Sequence, residues 1–222
     1  MNQPSQLHIS SPNGRLLSNL FFRADRSKNW LAFMLPGLGY TADMPLLYYS
    51  KMLLLNRGVD VLQLIPATRS EEFQAMDGES RRNWLRSDML ASLDAGLAQN
   101  NYGGIALVGK SIGSISVALG LPTAQSRLPT CVAWLTPIFH ESVVMDAAIS
   151  CIGSSFFLCG NADSTFEPDQ LELILKSNQG AVALVVNRAD HSLEIDGDEE
   201  RTFQALQEGM QAFGRFLDRV IH

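Results

Sequence analysis

Cysteine and histidine are scarce in this sequence, which limits the chemistry that it can support. Only three cysteines and four histidines occur in 222 residues, and no Cys/His pair has the spacing of a zinc site. The number of cysteines is odd and all lie in or near apolar runs, so we expect small buried side chains in a reducing compartment. They are Cys131, Cys151 and Cys159. We therefore expect a cytoplasmic protein without a metal site.

Clusters of positive charge and long apolar segments are also missing. The formal net charge is −6, and Arg81–Arg82 is the only adjacent basic pair, so we expect no nucleic-acid partner. No segment is long and apolar enough to span a bilayer, and the first residues lack the basic and apolar regions of a signal peptide. We therefore expect no membrane association. The sequence neither indicates nor excludes a homo-oligomer.

The overall composition is that of an ordinary soluble protein, and the length fits one α/β domain. Hydrophobic residues make up 46% of the chain and charged residues 18%, and the length is sufficient to bury a sheet on both faces. No internal repeat or Pro/Gly-rich linker divides the sequence. We therefore predict a single domain over residues 1–222.

Apolar, strand-like runs alternate with helix-like segments along the chain. The later strand-like runs are continuously apolar, as a parallel sheet covered on both faces requires. The alternation predicts an α/β fold with a doubly wound, mostly parallel β-sheet and helices on both faces. The predicted strands are Trp30–Leu35, Val59–Ile65, Ile105–Val108, Cys131–Leu135, Ser155–Cys159 and Ala181–Val186, and the predicted helices include Glu79–Gln99, Ser142–Ile149, Pro168–Ser177 and Glu199–Ile221.

Turn and cap residues predict several of the element boundaries. Pro12-Asn13-Gly14 is a predicted turn that leads into an extended arm, Arg15–Phe22. Thr41 or Asp43 is predicted to cap the first helix. The helix that follows Ile105–Val108 is predicted to end before Pro122, because proline disrupts a helix interior.

A G-x-S-x-G motif, Gly109-Lys110-Ser111-Ile112-Gly113, follows the strand Ile105–Val108 directly and opens a helix. In doubly wound sheets the ligand crevice lies beyond the carboxyl ends of the strands. A turn from strand to helix within one residue strains the serine backbone and exposes its hydroxyl. Gly109 and Gly113 suit this turn, because the strand end and the helix start nearly touch there. We therefore predict that Ser111 is a nucleophile.

The same stretch also fits the P-loop pattern G-x-x-x-x-G-K-S, from Gly104 to Ser111, which is typical of NTPases. In a P-loop the four middle residues form a turn whose N–H groups hold phosphate. Here those residues are Ile-Ala-Leu-Val, which favour a buried strand. No later predicted strand ends in an aspartate suited to magnesium, so the NTPase interpretation is the weaker one.

His191 is the predicted general base. It lies between the last strand and the last helix, from where its imidazole can reach across the top of the sheet to the serine. Two of the other histidines, His8 and His222, lie near the chain ends. The fourth, His140, follows the strand Cys131–Leu135 and is a weaker candidate.

Asp163 is the predicted orienting carboxylate. It follows the strand Ser155–Cys159, and a carboxylate there can fix the tautomer of His191 and stabilise the imidazolium. One alternative is that Asp163 only caps a turn. Glu167 and Asp169 are nearby alternatives for the catalytic role, although Asp169 is better placed to start the helix after Pro168.

The stretch Pro36-Gly37-Leu38-Gly39-Tyr40 follows the strand Trp30–Leu35. Gly37 and Gly39 let the backbone turn its N–H groups toward a point above the serine. We predict that the N–H groups of Leu38 and Ile112 form an oxyanion hole. The alternative is that this Pro-Gly stretch is only a turn.

Together these motifs resemble those of the α/β-hydrolase superfamily, over nearly the whole chain. The resemblance is greatest to small, lidless members such as dienelactone-hydrolase-like proteins. It implies an eight-stranded, mostly parallel sheet without a lid domain, a Ser111–Asp163–His191 triad and no cofactor. One departure is that many relatives begin the oxyanion loop with His-Gly, where this chain has Pro36-Gly37. The motifs that carry the resemblance are Pro36–Gly39, Gly109–Gly113, Gly160–Asp163 and Ala189–Leu193.

The expected function is hydrolysis of a small ester or thioester through an acyl-enzyme on Ser111. The segment Thr136–Ser154 is too short for a lid domain, so the crevice suits small or extended substrates. Residues 66–78 are a candidate flap, with Phe73 and Met76 as apolar contacts. Two alternatives remain open: a non-catalytic binding protein with this fold, and an acyltransferase that uses the same triad.

Overall fold

The computed structural model describes residues 3–11 and 14–221, and within them eight strands form one sheet. The strands are β1 (Ser5–Ser10), β2 (Leu16–Phe22), β3 (Trp30–Leu35), β4 (Val59–Gln63), β5 (Gly104–Ser111), β6 (Thr130–Pro137), β7 (Ser155–Gly160) and β8 (Ala181–Val186). The helices are α1 (Pro45–Asn56), α2 (Glu71–Ala75), α3 (Gly78–Leu97), α4 (Gly113–Arg127), α5 (Ser142–Ser150), α6 (Pro168–Ser177) and α7 (Glu199–Val220).

The sheet has the strand order β1-β2-β4-β3-β5-β6-β7-β8. β1 pairs antiparallel with β2, and β2 with β4, whereas all other neighbouring strands are parallel. One hydrophobic core packs α3, α4, α5 and α6 against one face of the sheet, and a second packs α1 and α7 against the other. The predicted doubly wound, mostly parallel sheet with helices on both faces is confirmed.

The start of α1 differs from the prediction, because neither Thr41 nor Asp43 caps it. Met44 is the N-cap residue and makes no side-chain capping bond, and Pro45 occupies the first turn. The N–H of Leu46 instead donates to the Tyr40 hydroxyl oxygen at 2.9 Å. A phenol from the preceding loop therefore takes the place of the expected cap and fixes this loop to the helix.

Helix α4 also differs, because it continues past Pro122 to Arg127. A proline inside a helix costs about 3 kcal/mol, since it lacks an N–H and crowds the preceding turn. Leu121 and Ala124, on either side of it, are buried in the core. The burial of these neighbours offsets the cost of the proline. A prediction from the presence of proline alone does not include this packing.

The segment 66–78, named above as a candidate flap, is partly helical. It contains α2, whose N-cap Ser70 accepts a hydrogen bond from the Phe73 N–H at 3.2 Å. Phe73 is only 1% exposed and packs edge-on against Trp84, with ring centroids 5.9 Å apart. The prediction that Phe73 is an apolar contact of a flap is therefore wrong, because this side chain belongs to the core.

The remaining boundaries agree with the sequence patterns to within a few residues. The predicted turn at Pro12-Asn13-Gly14 lies mostly outside the described residues, and the predicted arm that follows it forms β2. None of the described helices combines the length and the apolarity needed to cross a membrane.

Candidate active site

Ser111 is the last residue of β5, and α4 begins two residues later. Its φ is +56°, in the left-handed region that residues with a β-carbon avoid. Such a conformation costs of order 1–3 kcal/mol and is found mainly at functional sites. The strand-to-helix turn that the motif predicts is therefore present, and the serine at its apex is half-buried.

At two of the motif positions the neighbouring atoms leave no room for a β-carbon. A β-carbon on Gly109 would lie 2.6 Å from Val117 Cγ2 and 2.8 Å from the carbonyl oxygen of Gly113. Gly113 is even more crowded, because backbone atoms at the end of β3 leave no room for a β-carbon. Both residues keep α4 close to β5 and β3.

The predicted oxyanion loop, Pro36–Tyr40, lies directly beside the serine. The Gly37 N–H donates to the Tyr40 carbonyl oxygen at 3.0 Å, and a β-carbon on Gly37 would lie 3.2 Å from Ser111 Cβ. Gly39 is different, since its surroundings are open apart from an Arg69 nitrogen 3.6 Å from a β-carbon built there. Gly37 therefore packs tightly against Ser111, whereas Gly39 lies in open surroundings.

The N–H groups of Leu38 and Ile112 make no hydrogen bond within the described part of the chain. Each follows a residue of this packed pair: Leu38 follows Gly37, and Ile112 follows Ser111. Ile112 also precedes the first residue of α4, where the partial positive charge of a helix N-terminus favours an anion. Two free donors next to the serine are what a developing oxyanion requires.

His191 and Asp163 form a short hydrogen bond, with Nδ1 of the imidazole 2.7 Å from Oδ2 of the carboxylate. The other carboxylate oxygen accepts from the N–H and the hydroxyl of Thr165, both at 2.8 Å. The Asp163 side chain is 2% exposed and that of His191 34%. Burial raises the pKa of Asp163, but the hydrogen bonds from His191 and Thr165 lower it more, so this carboxyl stays ionised.

Backbone contacts between the two loops explain why this pair meets. The Ala162 N–H donates to the Ala189 carbonyl oxygen at 2.9 Å. A β-carbon on Gly160 would lie 2.1 Å from that same oxygen, so only glycine permits the approach. The alternatives Glu167 and Asp169 lie at the start of α6, where Glu167 is the N-cap residue and Asp169 is in the first turn.

The hydrogen bonds of Ser111 and His191 show how far the predicted pair is assembled. Within the described residues, no hydrogen bond joins the Ser111 hydroxyl to His191. Their backbones are nevertheless connected through Lys110, whose Nζ donates to the His191 carbonyl oxygen at 2.9 Å. Of the other histidines, His140 is exposed and His8 lies in β1 at the far edge of the sheet; His222 lies outside the described residues.

Three residues around the site were not identified from the sequence. Thr165 supports the carboxylate, and Arg69 fixes the oxyanion loop by donating from Nε to the Leu38 carbonyl oxygen at 2.7 Å. Lys110 was considered only as a P-loop lysine, but Gly104–Ser111 is a strand and the Lys110 side chain is buried. The P-loop alternative is therefore wrong, because no phosphate-binding turn exists there.

A cleft of about 340 Å³ adjoins the oxyanion loop. It lies between this loop and the chain that follows β4, and Arg69 lies at the same cleft. Residues lining it include Gly37, Leu38, Asp43, Gln63, Ile65 and Arg69. Gly37, one of the lining residues, also packs on Ser111, although neither Ser111 nor His191 lines the cleft itself.

The sequence matches no protein-family model and no curated protein. Solved structures match it over nearly its whole length. XC6422 from Xanthomonas campestris, an α/β serine hydrolase without a lid, has a TM-score of 0.76 at 15% identity, with 100% of this chain and 96% of that chain covered.

Two further structures show the same similarity. The esterase Pf2001 from Pyrococcus furiosus has a TM-score of 0.74 at 16% identity, with 99% and 92% covered. An α/β serine hydrolase homologue from Coxiella burnetii has a TM-score of 0.72 at 12% identity, with 96% and 98% covered. In this chain β6 and β7 are joined by the short helix α5 and its flanking turns. The protein therefore has the α/β-hydrolase fold in its small, lidless form.

Proposed function

We propose that this protein is a serine hydrolase that cleaves a small ester or thioester through an acyl-enzyme on Ser111. The observation that carries the proposal is the 2.7 Å hydrogen bond between His191 and the buried carboxylate of Asp163. It lies in loops at the same end of the sheet as a serine with a strained backbone. These are the features of an activated nucleophile with an oriented base.

The proposed reaction follows from the hydrogen bonds of the imidazole. Asp163 accepts the Nδ1 proton of His191, so the lone pair is on Nε2 and can take the proton of the Ser111 hydroxyl. The serine oxygen attacks the carbonyl carbon, and the N–H groups of Leu38 and Ile112 stabilise the oxyanion. His191 then gives the proton to the leaving group, and water releases the acyl group through the same base.

The size and lining of the cleft support a small substrate. Its volume, about 340 Å³, is near the lower limit of about 300–1,000 Å³ that small-molecule sites occupy. Two apolar side chains at the cleft, Leu38 and Ile65, are 42% and 51% exposed. Short acyl or alcohol groups would cover this apolar surface, whereas a long lipid chain would extend beyond it.

The buried thiols support a cytoplasmic setting for this reaction. Cys131, Cys151 and Cys159 are all unpaired and buried. Burial raises the pKa of each thiol, so they are inert and act as small apolar side chains.

The test compares the wild-type protein with Ser111→Ala on p-nitrophenyl esters of increasing acyl length. We expect kcat/KM to fall by about 10⁴-fold or more, because removal of a serine nucleophile has losses of this size. Ser126→Ala, an exposed serine of α4, is the matched control and keeps full activity. Short acyl groups are expected to be preferred.

Labelling with a fluorophosphonate tests the mechanism without knowledge of the natural substrate. An activated Ser111 forms an adduct that mass spectrometry locates on this residue, and Ser111→Ala does not. No adduct on the wild-type protein, together with equal ester hydrolysis by both forms, would refute the proposal. Product analysis with an added alcohol separates a hydrolase from an acyltransferase, because only the latter passes the acyl group to the alcohol.

A further inference from the structure

Lys110 has no role in the reaction proposed above, yet its side chain is only 1% exposed. We propose that Lys110 is a positioning residue that joins the loop of the general base to the oxyanion loop, and so fixes His191 relative to Ser111. This inference rests on the proposed function of the same site.

The contacts of Lys110 reach both loops. Its Nζ donates to the His191 carbonyl oxygen at 2.9 Å and lies 4.7 Å from the centroid of the Tyr40 ring, within the range of a cation–π contact. Its stem passes under Gly37, where a β-carbon would lie 3.3 Å from Lys110 Cδ. One side chain, covalently next to the nucleophile, therefore contacts the oxyanion loop and the base.

The backbone turn Asp190–Glu194, which carries His191, is closed by hydrogen bonds among its own residues, whereas Arg188 and Ala189 just before it are bonded to the loop after β7. The Asp190 carboxylate accepts from the N–H groups of Ser192 and Glu194, at 2.8 and 2.9 Å. The Asp190 N–H donates to the Glu194 carbonyl oxygen at 2.8 Å. Within the described residues, the His191 carbonyl accepts a hydrogen bond from Lys110 alone. Lys110 thus holds the turn at the residue whose imidazole must meet Ser111.

A lysine is a costly side chain to place here, which argues against a role in packing alone. Burial lowers the pKa of Lys110 to about 8, although the carboxylates of Asp163 and Asp190 act in the opposite direction. An apolar side chain of similar size would fill the same space without desolvating a charge. Groups that carry such a cost are concentrated at functional sites.

The charge of Lys110 makes a pH-dependent test available. The carboxylates of Asp163 and Asp190 and the Tyr40 phenol are titratable groups near the Lys110 ammonium. The Glu194 carboxylate in turn acts on the Tyr40 phenol. Burial raises the pKa of Tyr40 and hydrogen bonding lowers that of Asp163, so neither changes charge near pH 8. Lys110 is the group expected to lose its proton there.

The first test is the activity of Lys110→Met on a short p-nitrophenyl ester. We expect kcat to fall about 10- to 100-fold, because a displacement of about 1 Å at a reacting group has this effect. KM should change little, since Lys110 is buried and does not line the cleft. The kcat of the wild-type protein should decline as the pH rises above about 8, and this decline should be absent in Lys110→Met.

Two further variants control this test. Lys110→Arg keeps a charge at all accessible pH values, so the alkaline decline should disappear while more of the activity is kept than in Lys110→Met. Lys176→Met makes the same change at an exposed position of α6 and should leave kcat and its pH dependence unchanged. Wild-type kcat in Lys110→Met, with the alkaline decline still present, would overturn the inference.

An NMR measurement needs no substrate and therefore separates this inference from the proposed function. With ¹⁵N-labelled histidine, the Nδ1 proton shared with Asp163 should give a downfield resonance in the wild-type protein and in Lys110→Arg. We expect it to broaden and to exchange with water faster in Lys110→Met. An unchanged resonance in Lys110→Met contradicts the positioning role, even if Ser111 is reactive. A lost resonance supports it, even if no ester is hydrolysed.

Discussion

A β-carbon on Gly113 would lie 2.2 Å from the carbonyl oxygen of Leu35, the last residue of β3. The same β-carbon would lie 2.9 Å from the Pro36 carbonyl oxygen. Both oxygens are backbone atoms and cannot rotate away as a side chain can. The start of α4 is therefore pressed against Leu35 and Pro36, which brings the turn at Ser111 and the predicted oxyanion loop together.

Gly113→Ala should consequently damage both folding and activity. We expect the free energy of unfolding to fall by about 3 kcal/mol or more, because the added carbon displaces backbone at two elements. Urea denaturation followed by circular dichroism measures this change. Gly39→Ala is the matched control, since the only atom within 4 Å of its β-carbon is an Arg69 nitrogen at 3.6 Å. Equal losses in the two variants would show that the close approach at Gly113 is not real.

The backbone strain at Ser111 makes a second prediction. Because its φ is +56°, a residue without a β-carbon suits this position better than serine or alanine. We expect Ser111→Gly to be more stable than Ser111→Ala by about 1 kcal/mol, despite the extra freedom of glycine in the unfolded chain. Both variants lack the hydroxyl, so stability can be compared without a difference in chemistry. If Ser111→Ala were the more stable of the two in urea, the left-handed conformation would be in doubt.

The sequence was most informative where local sterics determine the structure. Ser111 and its two motif glycines occupy the strained strand-to-helix turn that their spacing predicts. Asp163 and His191 could be proposed because each follows a strand, and parallel strands end at the same edge of a sheet. Their pairing was predicted from this placement, whereas the contact between their loops at Ala162 and Ala189 is one that no local pattern reveals.

The residues that the sequence did not identify act through tertiary contacts. Pro122 lies in a helix interior because its neighbours are buried, and Phe73 belongs to the core instead of a flap. Lys110 has the spacing of a P-loop lysine, and its burial against Gly37 and Tyr40, on which the proposed positioning role rests, is a tertiary contact. A threonine two residues after a candidate aspartate, as at Thr165, is a signal that could have been used.

Asp163→Asn is expected to abolish most of the activity while the fold is kept. An amide that donates to Nδ1 favours the wrong tautomer of His191, and this change lowers kcat by about 10⁴-fold in serine proteases. Steady-state kinetics on a short ester measures the loss, and near-ultraviolet circular dichroism checks that the tertiary structure is kept. The Thr165 hydroxyl lies 3.3 Å from Nδ1, so activity within tenfold of the wild type would mean that Thr165 orients the ring instead.

The buried ammonium of Lys110 makes stability depend on pH in a definite direction. Its pKa is about 8 in the folded protein, against an ordinary value of 10.5. Below pH 8 both states carry the proton, and the folded state bears the full cost of burying it. Between these two pH values the unfolded chain binds more protons than the folded one, so the free energy of unfolding rises with pH. The protein is therefore most stable with respect to this group above pH 10.5, and it loses that stability as the pH falls to about 8.

The difference in unfolding free energy between the wild type and Lys110→Met isolates this effect. Other groups titrate in the same range: Cys131, for example, has a pKa raised by burial to about 12, so it lowers stability as the pH rises above its ordinary 9.0. Because Cys131 is present in both proteins, its contribution cancels. We expect the wild type to gain about 3 kcal/mol relative to Lys110→Met between pH 7 and 10.5, in urea titrations at constant ionic strength. A difference that stays constant over this range would mean that Lys110 is not buried as an ammonium.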